Sequence, residues 1–450
     1  MTEAGSDITL HRAAWVIPIE RPPIGDGAVL VEGRRIVGVG AYRDLRAQIP
    51  PGAKVVDHQD AALMPAVVNA HTHLELTGME CKISLPQAGF PPWVQEVFRH
   101  RASMDSQALQ EGMRRGLDML TWEGTCLCGD ITNTAAMLDD GRRHPARRGI
   151  DSAGHNTPQP LSRRESRGGC SPENNTDRAL VCRQAFLELI GFDCSSLAAA
   201  LERAGDGIDA AGAIERDGVS LAAHATYSTS ATVIEQAKEW CRLRGRVFSM
   251  HVAEHAEEIE LLQTGTGYCR ELLQAVGRWV DGWIPPAKSP VAYLDSRGVL
   301  DERTLLVHAV HMTESDWEAV MRRRCAVCFC PRSNHYVSTG RADLERAIQS
   351  GVPVALGTDS LASNMDLNLF SEAAFCLDQH PGLSPDAALC MMTLGGAGAL
   401  GRQDHFGSLA VDKVAAMIAI PADAGVPAAQ LSETIIHKAK QGALAWALGA

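Results

Sequence analysis

From Met64 onward, short apolar runs alternate with segments whose apolar residues recur at helical spacing. The runs are Ala66 to His71, Gly124 to Asp130, Phe186 to Asp193, Ser220 to Thr226, Val247 to Glu254, Thr304 to Met312, Cys325 to Asn334 and Pro353 to Ser360. Between them, Leu109, Met113, Leu117 and Leu120 follow the cap-like pair Asp105-Ser106, and Ile259 with Leu262 follows Glu254. Eight strands alternating with helices predict an α/β fold, a parallel (β/α)8 TIM-like barrel over residues 64–402. Before it, Ile8 to Ile17, Gly27 to Glu32, Arg35 to Val39, Lys54 to Asp57 and Ala61 to Met64 read as short strands joined by tight turns. Gly407 to Lys413 and Ala415 to Ile420 read as two more that rejoin them. The prediction is a small discontinuous β domain made of residues 1–63 and 403–450, ending in an alanine-rich, helix-like segment.

One stretch departs from this texture. Residues 139–178 are rich in Arg, Ser, Gly, Asn and Pro and nearly devoid of apolar side chains, so they read as an exposed, mobile insertion. A basic nucleic-acid-binding arm is the alternative, but the segment lacks aromatics for stacking, and the chain carries a net charge of -12 with both signs interspersed. A small-molecule heterocyclic partner fits better than nucleic acid. No apolar run approaches the ~20 residues of a membrane span. The first residues lack the basic start and apolar core of a secretory signal, so a cytoplasmic location is expected. Thirteen cysteines, an odd number scattered through strands and helices, suit reduced core thiols rather than a disulfide framework.

Chemistry concentrates where the apolar runs end. His71, Asp130, His224, His251, His308, Asn334 and Asp359 all lie at or near C-terminal strand ends, where a parallel barrel builds its active site. His71 and His73 are two apart, so on an extended strand they leave one face together and offer half of a metal site; a hydrogen-bonded buried pair is the alternative. Cys325, Cys328 and Cys330 form C-x-x-C-x-C, but the first two point to opposite faces of a strand and read as core thiols.

The motifs PAVVNAHTHLE (Pro65 to Glu75), HATY (His224 to Tyr227), HVAE (His251 to Glu254), HAVHM (His308 to Met312), CPRSN (Cys330 to Asn334) and GTDSLASN (Gly357 to Asn364) occur in order. Together they resemble the amidohydrolase superfamily, in its aminohydrolase branch of aminofutalosine, adenosylhomocysteine and methylthioadenosine deaminases and chlorotriazine hydrolases. The resemblance implies a metal-dependent hydrolase. His71, His73, His251 and Asp359 supply three nitrogens and a carboxylate for one divalent ion, with zinc expected and ferrous iron as the alternative. Such an ion makes hydroxide available at neutral pH. The fourth strand, around His224, carries neither the lysine nor the glutamate that bridges two metals in binuclear relatives, so one ion is expected.

By the same resemblance Glu254 is the general acid, Asp359 takes the proton of the attacking water, and His308 stabilises or deprotonates the nucleophile. Trp93, His224 and Arg332 are candidate substrate contacts. Trp93 otherwise packs its loop, His224 its strand, and Arg332 pairs with an acid. The best-matching substrate is aminodeoxyfutalosine of the menaquinone pathway, or a related adenine nucleoside, losing its 6-amino group as ammonia. Another heterocycle (guanine, a pterin, a chlorotriazine or a cyclic amide) and a silent scaffold are the competing readings, and a homodimer is compatible with all of them.

Overall fold

The computed structural model describes residues 8–138 and 181–448, apart from positions 51, 81, 84, 85 and 87. The expected insertion at 139–178 lies outside the described residues. The chain opens with β1 (Ile8–Val16), β2 (Ile24–Glu32), β3 (Arg35–Ala41), β4 (Lys54–Asp57) and β5 (Ala61–Pro65). Eight further strands follow: β6 (Val67–Thr72), β7 (Thr125–Thr132), β8 (Cys182–Leu189), β9 (Val219–Ala223), β10 (Phe248–Val252), β11 (Thr304–His308), β12 (Ala326–Phe329) and β13 (Val354–Leu356). They pair in chain order, all parallel, in one sheet.

The sheet curls until its ends meet. Thr358 and Asp359, just past β13, donate their amides to the His71 carbonyl on β6 at 3.0 and 3.1 Å, and Asn69 Nδ2 donates to Thr358 Oγ1 at 2.7 Å. This is a nearly closed (β/α)8 barrel. Its strands are buried on both faces, which is why they read as continuous apolar runs rather than as alternations. A tight helical turn, Met391–Gly395, continuing into Gly396–Ala399, packs under the β6 and β13 ends. A Cβ on Gly395 would sit 2.2 Å from the Val354 carbonyl oxygen, and one on Gly396 2.6 Å from that of Val68. Only glycine allows this approach.

A second sheet combines both ends of the chain. β14 (Met417–Pro421) runs antiparallel to β5 and to β15 (Ala445–Leu448), and the strand order is β15-β14-β5-β1-β2-β3 with β4 on β1. The helix Ala428–Lys440 contributes Leu431, Ile435, Ile436 and Ala439 to the same core as the barrel strands.

Three elements differ from the sequence reading. The third barrel strand lies at Cys182–Leu189 rather than at Phe186 to Asp193. Its start is disguised by buried polar residues that have found partners, Arg183 on Asp130 at 2.5 Å and Gln184 on Arg402 at 3.2 Å. Gly407 to Lys413 forms no strand. The residues beside it line the β2–β3 turn, with Asp412 N on the Ile36 carbonyl and Ala415 N on that of Arg34, both at 2.9 Å. The alanine-rich end includes a strand, β15, because β14 offers it an unpaired edge. Among the described residues, no helix is long and apolar enough to cross a membrane.

Candidate active site

At the C-terminal mouth of the barrel, His71 (on β6), His73 (just beyond it), His251 (on β10) and Asp359 (beyond β13) converge. The Nε2 atoms of His71 and His251 are 3.2 Å apart, and Asp359 Oδ1 lies 3.5 Å from His73 Nε2 and 3.8 Å from His71 Nε2. Nitrogens about 2.1 Å from a tetrahedral zinc stand about 3.4 Å from one another, so this spacing suits a shared ion. Burial is the main force that keeps the imidazoles neutral. It holds His73 and His251 down at about 4 and His71 well below its ordinary value, with neighbouring histidines adding to the effect on His71. Burial alone would push the Asp359 carboxyl up, but His73, His308 and the Ser333 hydroxyl outweigh it and hold it below the usual range. Its Oδ2 accepts from Ser333 Oγ at 2.5 Å and Ser363 Oγ at 3.0 Å, leaving Oδ1 for the cluster.

His251 Nδ1 donates to the His224 carbonyl at 2.9 Å, which aims a bare Nε2 lone pair inward. Three uncharged nitrogens and a carboxylate, packed without a proton to share among them, form a cation site. The backbone makes this convergence at some cost. Ala253, His308, Ala309 and Asp359 have φ of 50°, 74°, 50° and 56°, each a strain of order 1–3 kcal/mol for a residue with a side chain. Hydrogen bonds across the strand ends hold it, including Ala309 N to the Val252 carbonyl at 3.1 Å and Thr72 Oγ1 to that of Asp359 at 3.0 Å.

Two groups suited to proton transfer adjoin the cluster. Burial, reinforced by the charges of Asp359 and Glu258, pushes the Glu254 carboxyl up to about 8. Its Oε1 lies 3.6 Å from His308 Nε2. Asn334 Nδ2 donates to His308 Nδ1 at 3.1 Å, so the ring proton resides on Nε2 and points at Glu254. Glu254 is aimed by Glu258, whose buried carboxylate accepts from Glu254 N at 3.2 Å and from Thr226 Oγ1 at 2.5 Å.

These groups floor a cavity of about 430 Å³, spacious enough for a nucleoside-sized ligand. Trp93 and His224 line it, Trp93 with its indole N–H tied to the Ala362 carbonyl at 2.9 Å. Arg332 does not line it. Its guanidinium forks onto Asp366 at 2.6 and 3.1 Å and faces the fully buried Glu372 at 3.6 Å, so of its two sequence readings the structure selects the acid pair. The arginines that do reach the wall are Arg101, Arg203 and Arg278. Arg203 is held by Asp193 at 2.7 and 2.8 Å, whereas among the described residues no carboxylate lies within ion-pair distance of Arg101 or Arg278.

Glu188, a cavity residue, was not singled out from the sequence. It stands on β8, and burial pushes its carboxyl up to about 8. Its one signal was a lone acid in an apolar run, hidden by the displaced strand boundary. Cys325, Cys328 and Cys330 are buried free thiols, as the strand geometry required.

Known proteins share this architecture. The aminodeoxyfutalosine deaminase of Deinococcus radiodurans is 29% identical over 392 residues, covering 84% of this chain and 82% of that protein. Two solved structures have the same fold. One is Helicobacter pylori aminofutalosine deaminase in complex with methylthio-coformycin (TM-score 0.75, 21% identity, 95% of this chain and 96% of that one). The other is a Xanthomonas campestris adenosine deaminase with bound zinc (TM-score 0.71, 24% identity, 96% and 90%). The model of the Amidohydrolase family matches residues 62–437, a span that takes in every barrel strand and the whole histidine cluster; the chain therefore belongs to that family and is a hydrolase of carbon–nitrogen bonds other than peptide bonds.

Proposed function

We propose that this enzyme is a zinc-dependent aminohydrolase of the cytoplasm that replaces the 6-amino group of an adenine nucleoside derivative by oxygen, with aminodeoxyfutalosine its preferred substrate. One observation carries the reading: a buried carboxyl that keeps its proton at neutral pH, Glu254, stands beside the His71–His73–His251–Asp359 cluster at the floor of a nucleoside-sized cavity. A divalent ion held by those four residues would acidify a water and supply hydroxide at neutral pH.

The chain's own groups manage the protons. Glu254 delivers its proton to the ring nitrogen beside the carbon under attack, which makes that carbon electrophilic and spares the ring a negative charge. His308 directs its Nε2–H into the same space and steadies the incoming oxygen. Asp359, ionised at neutral pH, accepts the proton given up by the water and passes it to the departing amine, so that R–NH2 and H2O become R=O and NH3. The aromatic and aliphatic wall of Phe90, Trp93, Val94 and Leu273 suits the apolar faces of a heterocycle and keeps water from the reacting carbon.

The test is ammonia release across a panel. Aminodeoxyfutalosine should have a higher kcat/KM than adenosine, methylthioadenosine or adenosylhomocysteine. Preference for guanine, a pterin or a chlorotriazine over every adenine nucleoside would overturn the substrate assignment and leave the hydrolase fold standing.

A further inference from the structure

Glu188 has an oxygen that no protein group satisfies. The side chain is 3% exposed. Its Oε2 accepts from Asn133 Nδ2, and Asn133 is itself fixed through its backbone N–H on Glu75 at 3.3 Å. Oε1 is buried and, among the described residues, accepts nothing. It lies 3.4 Å from His251 Nδ1, but that nitrogen's proton is spent on the His224 carbonyl.

Beside Glu188 stands His224; one ligating atom each of Glu188, His224 and His251 lie within 4.8 Å of one another. His224 Nδ1 is 2.6 Å from Ser228 Oγ, and Ser228 donates its own proton to the Ala225 carbonyl at 3.3 Å. The ring proton of His224 is therefore on Nδ1, and Nε2 presents a lone pair. Two acceptors thus sit side by side in the cavity wall, across the His251 ring from the nitrogen that faces His71.

Leaving a buried acceptor unpaired is costly, so a ligand that fills this wall has to bring donors. An adenine-type ring has donors only on its exocyclic amine, and that amine must lie against Glu254 and the cluster to be expelled. The rest of the ring offers lone pairs and C–H bonds. Donors for Glu188 and His224 must then come from the substituent on the ring. We infer that Glu188, with His224, forms a hydroxyl-reading subsite that accepts hydrogen bonds from the neighbouring hydroxyls of a ring-linked pentose. The inference rests on the adenine-type reading and deepens it, because it makes the sugar, and not the ring alone, a determinant of specificity.

The test uses the purified holoenzyme with adenosine, 2′-deoxyadenosine and 3′-deoxyadenosine, in wild type, Glu188→Ala and Glu188→Gln, with metal content measured in each. In wild type, kcat/KM for adenosine should exceed that for at least one deoxynucleoside by about 10- to 100-fold, mainly through KM. Glu188→Ala should lose adenosine turnover while leaving that deoxynucleoside near its wild-type value, so the ratio collapses toward one. Glu188→Gln keeps a carbonyl acceptor of the same size and should restore part of the ratio; it also serves if the smaller side chain prevents folding. A purely structural role would depress all three substrates alike, and that result overturns the inference. Equal handling of the three nucleosides by wild type does the same, as does a second equivalent of divalent metal that Glu188→Ala loses. Each of those outcomes leaves the deaminase standing. Turnover of free bases but of no purine nucleoside would remove both the deaminase reading and the inference.

Discussion

Replacing Glu254 by Gln removes one exchangeable proton and almost no volume, which makes it the sharpest probe of the proposed chemistry. With its pKa raised to about 8, about nine in ten molecules carry the proton at pH 7, against about one in three hundred for an ordinary carboxyl. The amide can donate a hydrogen bond but cannot transfer a proton. Loss of a positioned general acid typically costs 10²- to 10⁴-fold in rate, or about 3 to 5 kcal/mol of barrier. The cluster residues are untouched, and Glu258 still receives the backbone N–H of residue 254, so the variant should fold and keep its metal. The assay is coupled ammonia release from pH 5 to 10, alongside elemental analysis. An acid that must be protonated works fully below its pKa and is lost above it, so the wild-type profile should have a basic limb at or below about pH 8. A bound cation would pull that limb lower by favouring the ionised form. The limb should be absent from the residual activity of Glu254→Gln. A metal-replete variant within tenfold of the wild-type rate would refute the assignment.

Other changes follow from the same geometry. His308→Ala should retain the metal and lose rate, because its Nε2 faces Glu254 while the four cluster residues remain; metal release on elemental analysis would place it among the ligands. His73→Ala should abolish binding of the single divalent ion expected per chain, and a chain that still holds one ion tightly would contradict the four-residue site. Arg332→Met should act on stability rather than on KM. The folded pKa of Glu372, raised to about 7 by burial against the pull of Arg332, lies above its unfolded value of 4.5, so the folded state binds the extra proton and stability falls as pH rises from about 4.5 to 7. Removing Arg332 pushes that pKa further up and extends the loss to higher pH; breaking such a buried pair costs about 3 to 5 kcal/mol. Urea melts of wild type and variant that run parallel from pH 5 to 9 would exclude this account. Gly357→Ala should destabilise the barrel seam, since a Cβ there would lie 2.8 Å from His71 Cβ and the His71 carbonyl oxygen; an unshifted thermal transition would argue against so tight a closure.

Much of this molecule is written in local pattern. Each barrel strand is shielded on both faces, so its residues must be apolar almost without interruption, and the run stops where the strand meets the mouth and polar chemistry begins. That is why His71, His251, His308 and Asp359 could be read from run ends, and why the small sheet was visible as short strands at tight turns. Where a strand contains buried charges that are satisfied by distant partners, the pattern fails. Arg183 on β8 looks like a surface residue until Asp130 is placed against it, and the resulting displacement of the strand obscured Glu188. What only the tertiary structure decided is pairing across the chain. Asp366 and Glu372 claim Arg332, Asn334 sets the tautomer of His308, and Ser228 and Asn133 turn His224 and Glu188 into a matched pair of acceptors. A sequence records which side chains have hydrogen-bonding capacity. Whether that capacity is spent within the protein or left for a ligand depends on which neighbours, tens or hundreds of residues away, folding brings within about 3 Å.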